Sequence, residues 1–184
     1  SDVYKRQGMV WLATGHDLGG SLRVPGSFCG VVGMRSSAGR VPRPESVAPF
    51  DPLWVEGPMG RCVADVALML DAQAGFDPRD PLSYPAPERP YAEVVRNPRA
   101  PGRSGFTANL GLGRVDPEVA AICQAAVLRL ADTGAVVDEG CPDFSGGIEA
   151  FQVLRANLIA AVRGPLLDQH RAPVSYTHLT LPTS

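Results

Sequence analysis

Apolar residues recur at helical spacing in the middle of the chain. They lie three or four residues apart just before Gly75, and they are Val63, Val66, Ala67 and Leu70. This spacing places them on one side of a helix, and a glycine commonly ends one. The pattern therefore predicts a helix over about residues 62–74 with one face packed in the core.

The second half of the chain carries a predicted helix–strand–helix unit. Asp116 is a favourable helix cap, and Pro117 suits the first helical position. The apolar residues that follow on one face, before Gly134, are Val119, Ile122, Cys123, Ala126, Val127 and Leu130. Residues 135–139 form a predicted buried strand, and a further helix is expected over about 147–162, ended before Pro165.

Short apolar runs near the start of the chain predict buried strands. Residues 9–13 indicate a short strand or helix end, and residues 30–34 indicate a strand. Residues 41–58 are rich in proline and glycine, and residues 77–105 carry prolines and charges without periodicity. We expect both of these segments to be irregular surface connections. Together with the helices, the strands predict an α/β fold.

Composition and charge exclude several classes of protein. The 184 residues carry a formal net charge of -2, and the arginines are scattered, so nucleic-acid binding is not expected. No apolar run approaches the roughly 20 residues of a membrane-spanning helix, and no signal peptide is visible, so we expect no membrane association and a cytoplasmic location. The four cysteines lack C-x-x-C spacing and the three histidines are dispersed, so no metal site is expected.

The chemistry of the chain is concentrated in residues 17–25. Within this run two glycines, Gly19 and Gly20, lead directly into Ser21. Glycines allow successive backbone N–H groups to converge on one point, which is the arrangement that receives negative charge on a substrate oxygen. A serine beside such donors is a candidate nucleophile for acyl transfer. A plain turn is the alternative, since glycine and serine are ordinary turn residues.

The flanking sequence favours the nucleophile. Residues 28–42, residues 55–61 and the following Cys-Val-Ala-Asp stand in an order and at spacings that resemble the amidase signature family. These are serine hydrolases that cleave amides with a Ser-cis-Ser-Lys triad. The resemblance is specific over residues 8–70 and continues more weakly to about residue 167. It implies an α/β fold with a twisted mixed sheet covered by helices, of which this chain is a partial domain.

The resemblance also implies roles for individual residues. Ser21 matches the nucleophile that becomes acylated, and Asp17 and Arg23 match polar residues that hold its loop in shape. A solvated surface ion pair is the alternative for Asp17 and Arg23. The oxyanion hole is matched by the backbone N–H groups of Leu18, Gly19, Gly20 and Ser21.

Three residues near the motif depart from the family pattern. His16 stands where the family usually has a small polar residue, Gly26 where a small alanine usually follows Pro25, and Ser36 where the family typically has proline. We expect His16 to be a hydrogen-bonding loop residue; the alternative is that it tunes substrate access or the pH dependence of activity. We expect Ser36 to leave the local backbone less restrained.

The two ends of the chain match neither the family nor the composition of the rest. Lys5 is the only lysine, and it lies in residues 1–7, which with residues 174–184 resemble translated sequencing adapters. Residues 8–173 are then a partial amidase signature domain of bacterial and metagenomic origin. It lacks the lysine and the cis-serine of the family, so we expect it to be inactive alone.

The function that follows is hydrolysis of a carboxylic amide C–N bond through an acyl-serine intermediate on Ser21, with no metal or organic cofactor expected. The expected partner is a small-molecule linear amide. One alternative is an A-type component of a glutamine-dependent tRNA amidotransferase, and another is a non-catalytic binding protein with the amidase fold. The sequence leaves the amide substrate, the oligomeric state and the role of His16 open.

Overall fold

The computed structural model describes residues 8–170, and the chain divides into two compact units. One contains the residues up to Arg96 together with those from Val153, and the other is Asn97–Gln152. The predicted adapter segments, residues 1–7 and 174–184, lie outside the described residues. That the amidase-like domain begins at residue 8 and ends at residue 173 therefore stays a prediction.

A three-stranded antiparallel sheet forms the centre of the first unit. Its strands are β1 (Leu12–Asp17), β2 (Val32–Gly33) and β3 (Val55–Gly60), in the order β1-β3-β2. Strand β1 pairs along its whole length with β3, from Leu12 opposite Gly60 to Asp17 opposite Val55. Because β1 ends at Asp17, the strand leads straight into the candidate nucleophile loop.

Three predictions about this sheet need correction. The buried segment predicted over residues 9–13 is a strand only from Leu12 onward, and Met9 and Trp11 are exposed. Strand β3 overlaps the segment predicted to be an irregular connection over residues 41–58, and the predicted strand at 30–34 is only the two residues of β2. Strand β3 is almost wholly buried, and its glycines and proline are the residues that favoured a loop in the sequence. The glycines allow neighbouring backbone and side chains to approach the strand closely, which a sequence pattern does not reveal.

Three helices of this unit lie within residues 8–96. Helix α2 (Val63–Gln73) confirms the predicted helix over 62–74, with Val66 and Leu70 buried on its inner face, but Val63, predicted for the same face, is exposed. Helix α1 (Arg23–Cys29) follows the candidate nucleophile and was not predicted. Helix α3 (Tyr91–Arg96) lies in the segment expected to be irregular.

The two faces of the sheet carry different elements. On one face the buried side chain of Leu22 packs against Gly15 and Gly57, at the start of α1. On the other face the Gln73 side chain of α2 donates a hydrogen bond to the Thr14 hydroxyl over 2.9 Å. Successive strand residues point to opposite faces, so the loop that carries Ser21 is anchored by Leu22 on the face opposite α2.

Gly33 of β2 lies against the backbone of Leu22, at the end of the candidate nucleophile loop. A Cβ atom at Gly33 would overlap the carbonyl oxygen of Leu22, which is backbone and has little freedom to move. We therefore expect Gly33→Ala to destabilise the complete protein by about 1–3 kcal/mol, as overpacking typically does. Thermal unfolding measures this, with Gly75→Ala as the control, because a Cβ at Gly75 meets no atom within 4 Å. Equal melting temperatures for the two variants would contradict the prediction.

The second unit is built on a two-stranded parallel sheet. Strands β4 (Arg103–Phe106) and β5 (Val136–Glu139) pair in parallel, with helix α4 (Pro117–Leu128) between them in the chain. The Asp116 carboxylate accepts a hydrogen bond from the Glu118 N–H over 2.8 Å, which confirms the predicted cap. The apolar face of α4 is largely exposed, with Ile122 at 62%.

The last helix, α5, runs over Gly147–His170. It contains Pro165, so the prediction that the helix ends before this proline is wrong. A proline removes one N–H donor and crowds the preceding turn, but the leucines that follow it favour helix and the helix continues. None of the helices within residues 8–170 is both long enough and apolar enough to cross a membrane.

Candidate active site

The loop between β1 and α1 is organised by one buried carboxylate. The side chain of Asp17 is fully buried at the end of β1. It accepts hydrogen bonds from the Gly20 N–H over 2.8 Å and from the Leu22 N–H over 3.2 Å. A short aspartate side chain that bonds the backbone a few residues ahead fixes a turn. The residue between these two donors is Ser21, so Asp17 holds the backbone on both sides of the candidate nucleophile.

Two arginines complete the contacts of Asp17. Arg23 forms a two-point pair with the carboxylate, with both nitrogen–oxygen distances at 3.0 Å. Arg35 donates to the Asp17 carbonyl oxygen, lies 3.3 Å from its Oδ1, and donates to the Leu53 carbonyl over 3.0 Å. The structure therefore brings Asp17 and Arg23 together as predicted. It adds Arg35, which the sequence did not single out although it is a basic residue directly after the predicted strand at 30–34.

These contacts determine the charge state of Asp17. Burial by itself would raise the pKa of this carboxyl group, but the hydrogen bonds from Arg23, Gly20 and Leu22 outweigh burial and hold the pKa well below its usual range. The hydrogen bond to Asp17 raises the pKa of Arg23. The pair is therefore ionised at neutral pH.

Gly20 needs to be glycine for two reasons. Its φ of +117° lies in the region that side chains rarely adopt, and a Cβ would approach the Val24 side chain to 2.9 Å. Its N–H is already bonded to Asp17. Within residues 8–170 the N–H groups of Leu18, Gly19 and Ser21 have no hydrogen-bond acceptor. Of the four donors that the resemblance implies, three are thus free to receive a ligand oxygen.

Ser21 lies exposed on this loop, immediately before the first turn of α1. Its hydroxyl group has no hydrogen-bond partner in the described part of the chain. A hydroxyl in this position is accessible to a substrate carbonyl, with backbone donors beside it. Within residues 8–170 no group of three or more histidine, cysteine, aspartate or glutamate side chains could hold a metal ion.

His16 is not a loop residue, contrary to expectation. It lies in β1 directly opposite Glu56 of β3, and its ring centroid is 5.2 Å from that of Trp54. Strand alternation places His16 on the same face as Thr14, whereas Leu22 packs on the other face. The His16 ring therefore points away from the face on which the nucleophile loop is anchored, and its position does not favour a role as the base for Ser21.

Ser36 ties two parts of the first unit together. It is buried, and its hydroxyl donates a hydrogen bond of 2.6 Å to the carbonyl oxygen of Glu56 in β3. The expectation that a serine in place of proline leaves this backbone less restrained is therefore wrong. The side-chain hydrogen bond supplies a restraint that a proline ring would have supplied covalently.

Comparison with known proteins gives a consistent result. The sequence model of the Amidase family matches residues 7–161. An acylamidase of Rhodococcus erythropolis is 40% identical over 144 residues, which are 78% of this chain and 30% of that protein. The A-type component of the glutamyl-tRNA(Gln) amidotransferase of Synechococcus sp. (strain RCC307) is 40% identical over 148 residues, 80% of this chain and 30% of the relative.

Solved structures agree with the sequence relatives. The crystal structure of a bacterial aryl acylamidase of the amidase signature family superposes with a TM-score of 0.83 at 26% identity. The match covers 97% of this chain and 39% of the aryl acylamidase chain. The chain thus spans about three tenths of the length of the sequence relatives named above.

Proposed function

This chain belongs to the amidase family, and on that premise we propose that the complete protein hydrolyses a carboxylic amide C–N bond through an acyl intermediate on Ser21. The fold is the α/β fold of the amidase signature enzymes. We further propose that residues 8–173 are one part of the catalytic domain.

The observation that carries the proposal is the geometry of the loop that Asp17 organises. Asp17 engages the backbone on both sides of Ser21 and leaves the side chain of Ser21 exposed. The free N–H groups of Leu18, Gly19 and Ser21 are the candidate oxyanion hole. The Gly20 N–H instead donates to the Asp17 carboxylate and stabilises the loop. A purely structural turn would need neither an exposed hydroxyl nor unsatisfied donors beside it.

The proposed reaction has two halves. In the first, Ser21 Oγ bonds to the amide carbonyl carbon, the C–N bond breaks, and the serine proton ends on the leaving amine nitrogen. In the second, water adds to the acyl carbon, the carboxylic acid leaves and the serine hydroxyl is restored. The backbone donors stabilise the negative charge on the carbonyl oxygen in both halves.

The proton acceptor for Ser21 is proposed from the family resemblance alone. That resemblance assigns it to a lysine that acts through a cis-serine, both upstream of the nucleophile. We propose that the complete protein supplies these residues and that this chain alone does not turn over amides. We propose a small-molecule linear amide as the substrate, and the acylamidase and the aryl acylamidase among the matches support the choice of an amide.

The amidotransferase relative supports a second candidate function. In that case the complete protein would release ammonia from glutamine for use on a charged tRNA, and it would need partner proteins. A non-catalytic binding protein with the same fold is the third possibility. The three candidate functions differ in whether the complete protein, purified without partners, hydrolyses an amide.

An assay of the complete protein, purified without partners, tests the proposal. We expect amine release from short acyl and aryl amides, with an acyl group on the peptide that contains Ser21 when the reaction is quenched and analysed by mass spectrometry. Glutamine hydrolysis that requires the addition of partner proteins would favour the amidotransferase. Absence of turnover together with absence of acylation would favour the binding protein and contradict the proposal.

A further inference from the structure

We propose that Arg35 is a positioning residue that sets the direction of the Leu18 N–H in the oxyanion hole, an inference that rests on the proposed function. The side chain of Arg35 joins the end of β1, where the nucleophile loop begins, to the segment just before the central strand β3. One guanidinium nitrogen donates to the Asp17 carbonyl oxygen, and another donates to the carbonyl oxygen of Leu53, two residues before β3.

The geometry of the peptide bond connects Arg35 to the Leu18 N–H. The Asp17 carbonyl group and the Leu18 N–H belong to one peptide unit, which is planar and trans, so the two groups point in opposite directions. A hydrogen bond that fixes the carbonyl oxygen therefore fixes the direction of the N–H. Arg35 holds the carbonyl end, and the Leu18 N–H at the other end is one of the free donors.

Arg23 does not have this effect, although it shares the carboxylate. Its two hydrogen bonds end on the side-chain oxygens of Asp17, and its own side chain is 54% exposed. Arg35 bonds the main chain, and its side chain is 26% exposed. The two arginines therefore have different roles. Arg23 balances the charge of Asp17, and Arg35 also orients the peptide bond between Asp17 and Leu18.

The two-point contact explains why a guanidinium group is needed. Arg35 reaches Asp17 through Nη1 and Leu53 through Nη2, so a rigid planar fork spans two carbonyl groups from different segments. A lysine has one nitrogen on a flexible stem and cannot reproduce the spacing of the fork. Lysine at this position would keep the charge beside Asp17 but would leave the peptide less firmly oriented.

Steady-state kinetics of the complete protein test this role. Removing one oxyanion-hole donor outright typically costs about 100-fold to 1000-fold in kcat, and misorienting one costs less. We expect Arg35→Met to lower kcat about tenfold to a hundredfold with KM changed less than about threefold, because the donor acts mainly on the transition state. The rate of covalent labelling by a fluorophosphonate should fall in parallel. Arg35→Lys should recover only part of kcat.

Two further variants make the test specific. Arg79→Met removes an exposed arginine of the same unit, paired only with Asp77 within residues 8–170, and should leave kcat unchanged. If Arg35→Met melts below the assay temperature, Arg35→Lys is compared with the wild type in its place. A fall in melting temperature with kcat intact, or a rise in KM as large as the fall in kcat, would overturn the positioning role. A wild-type protein with neither turnover nor labelling would overturn the proposed function and this role together.

Discussion

Ser21→Ala is expected to abolish covalent labelling of the complete protein by a fluorophosphonate probe and to reduce amide turnover by several orders of magnitude. Without the hydroxyl group no acyl intermediate can form, and the remaining donors provide only residual stabilisation of the transition state. Because Ser21 is exposed and its hydroxyl has no partner within residues 8–170, the substitution should leave the fold intact. Circular dichroism and the melting temperature check this point.

Ser27→Ala is the matched control for this experiment. Ser27 is an exposed serine in α1, six residues after Ser21, and the change should leave labelling and turnover as they are in the wild type. Labelling that persists in Ser21→Ala would show that another residue is the nucleophile. Labelling lost equally in both variants would indicate damage to α1 instead of loss of a nucleophile.

Asp17→Asn is expected to damage both stability and activity. The asparagine side chain has the same size, but it lacks the negative charge between Arg23 and Arg35. Its NH₂ group can only donate, and it would face N–H groups that now donate to the carboxylate. Breaking a buried pair in this way costs about 3 kcal/mol, at the low end of the usual range because Arg23 is half exposed. We expect kcat to fall about a hundredfold as well, since the loop around Ser21 loses its support.

The pH dependence of unfolding provides a second readout for Asp17. The pKa of Asp17 is lower in the folded protein than in the unfolded chain, where it is about 4. Its contribution to stability is therefore fully present above about pH 4 and is lost as the pH falls toward the folded-state pKa. The wild-type melting temperature should drop more steeply than that of Asp17→Asn below about pH 4.

Asp77→Asn is the control for the loss of a carboxylate. Asp77 also forms a two-point pair with an arginine, Arg79, but that arginine is 64% exposed on the surface. Surface pairs contribute little, so this variant should melt close to the wild type at neutral pH. If Asp17→Asn and Asp77→Asn lost the same stability, Asp17 would not have the central role that its burial indicates.

The sequence alone was sufficient for the features that local chemistry determines. Helix α2 and the Asp116 cap of α4 follow from apolar spacing and capping residues, because both depend on neighbours in the chain. The association of Asp17 with Arg23 is also predictable, since the two residues are six positions apart in one motif. The amidase family follows from the order and spacing of several short motifs.

Other features depended on contacts between distant parts of the chain. Strand β3 has the sequence of a loop because Gly57 makes room for Leu22 and Met34, and no local pattern shows this close approach. His16 is in a strand because the pairing of β1 with β3 extends further than the apolar run. The hydrogen bond of Ser36 to Glu56 crosses 20 positions of sequence.

The sequence by itself determined which residues are the candidates for the chemistry, and the tertiary structure decided how they are held. A motif fixes the identity of Ser21 and its neighbouring glycines, because the candidate nucleophile and its donors are adjacent in the chain. The direction of those donors depends on the burial of Asp17 and on Arg35. Arg35 lies 18 positions after Asp17 in the sequence, beyond α1 and β2. Only folding brings that guanidinium group to the Asp17 carbonyl, so this part of the candidate site was visible only in the tertiary structure.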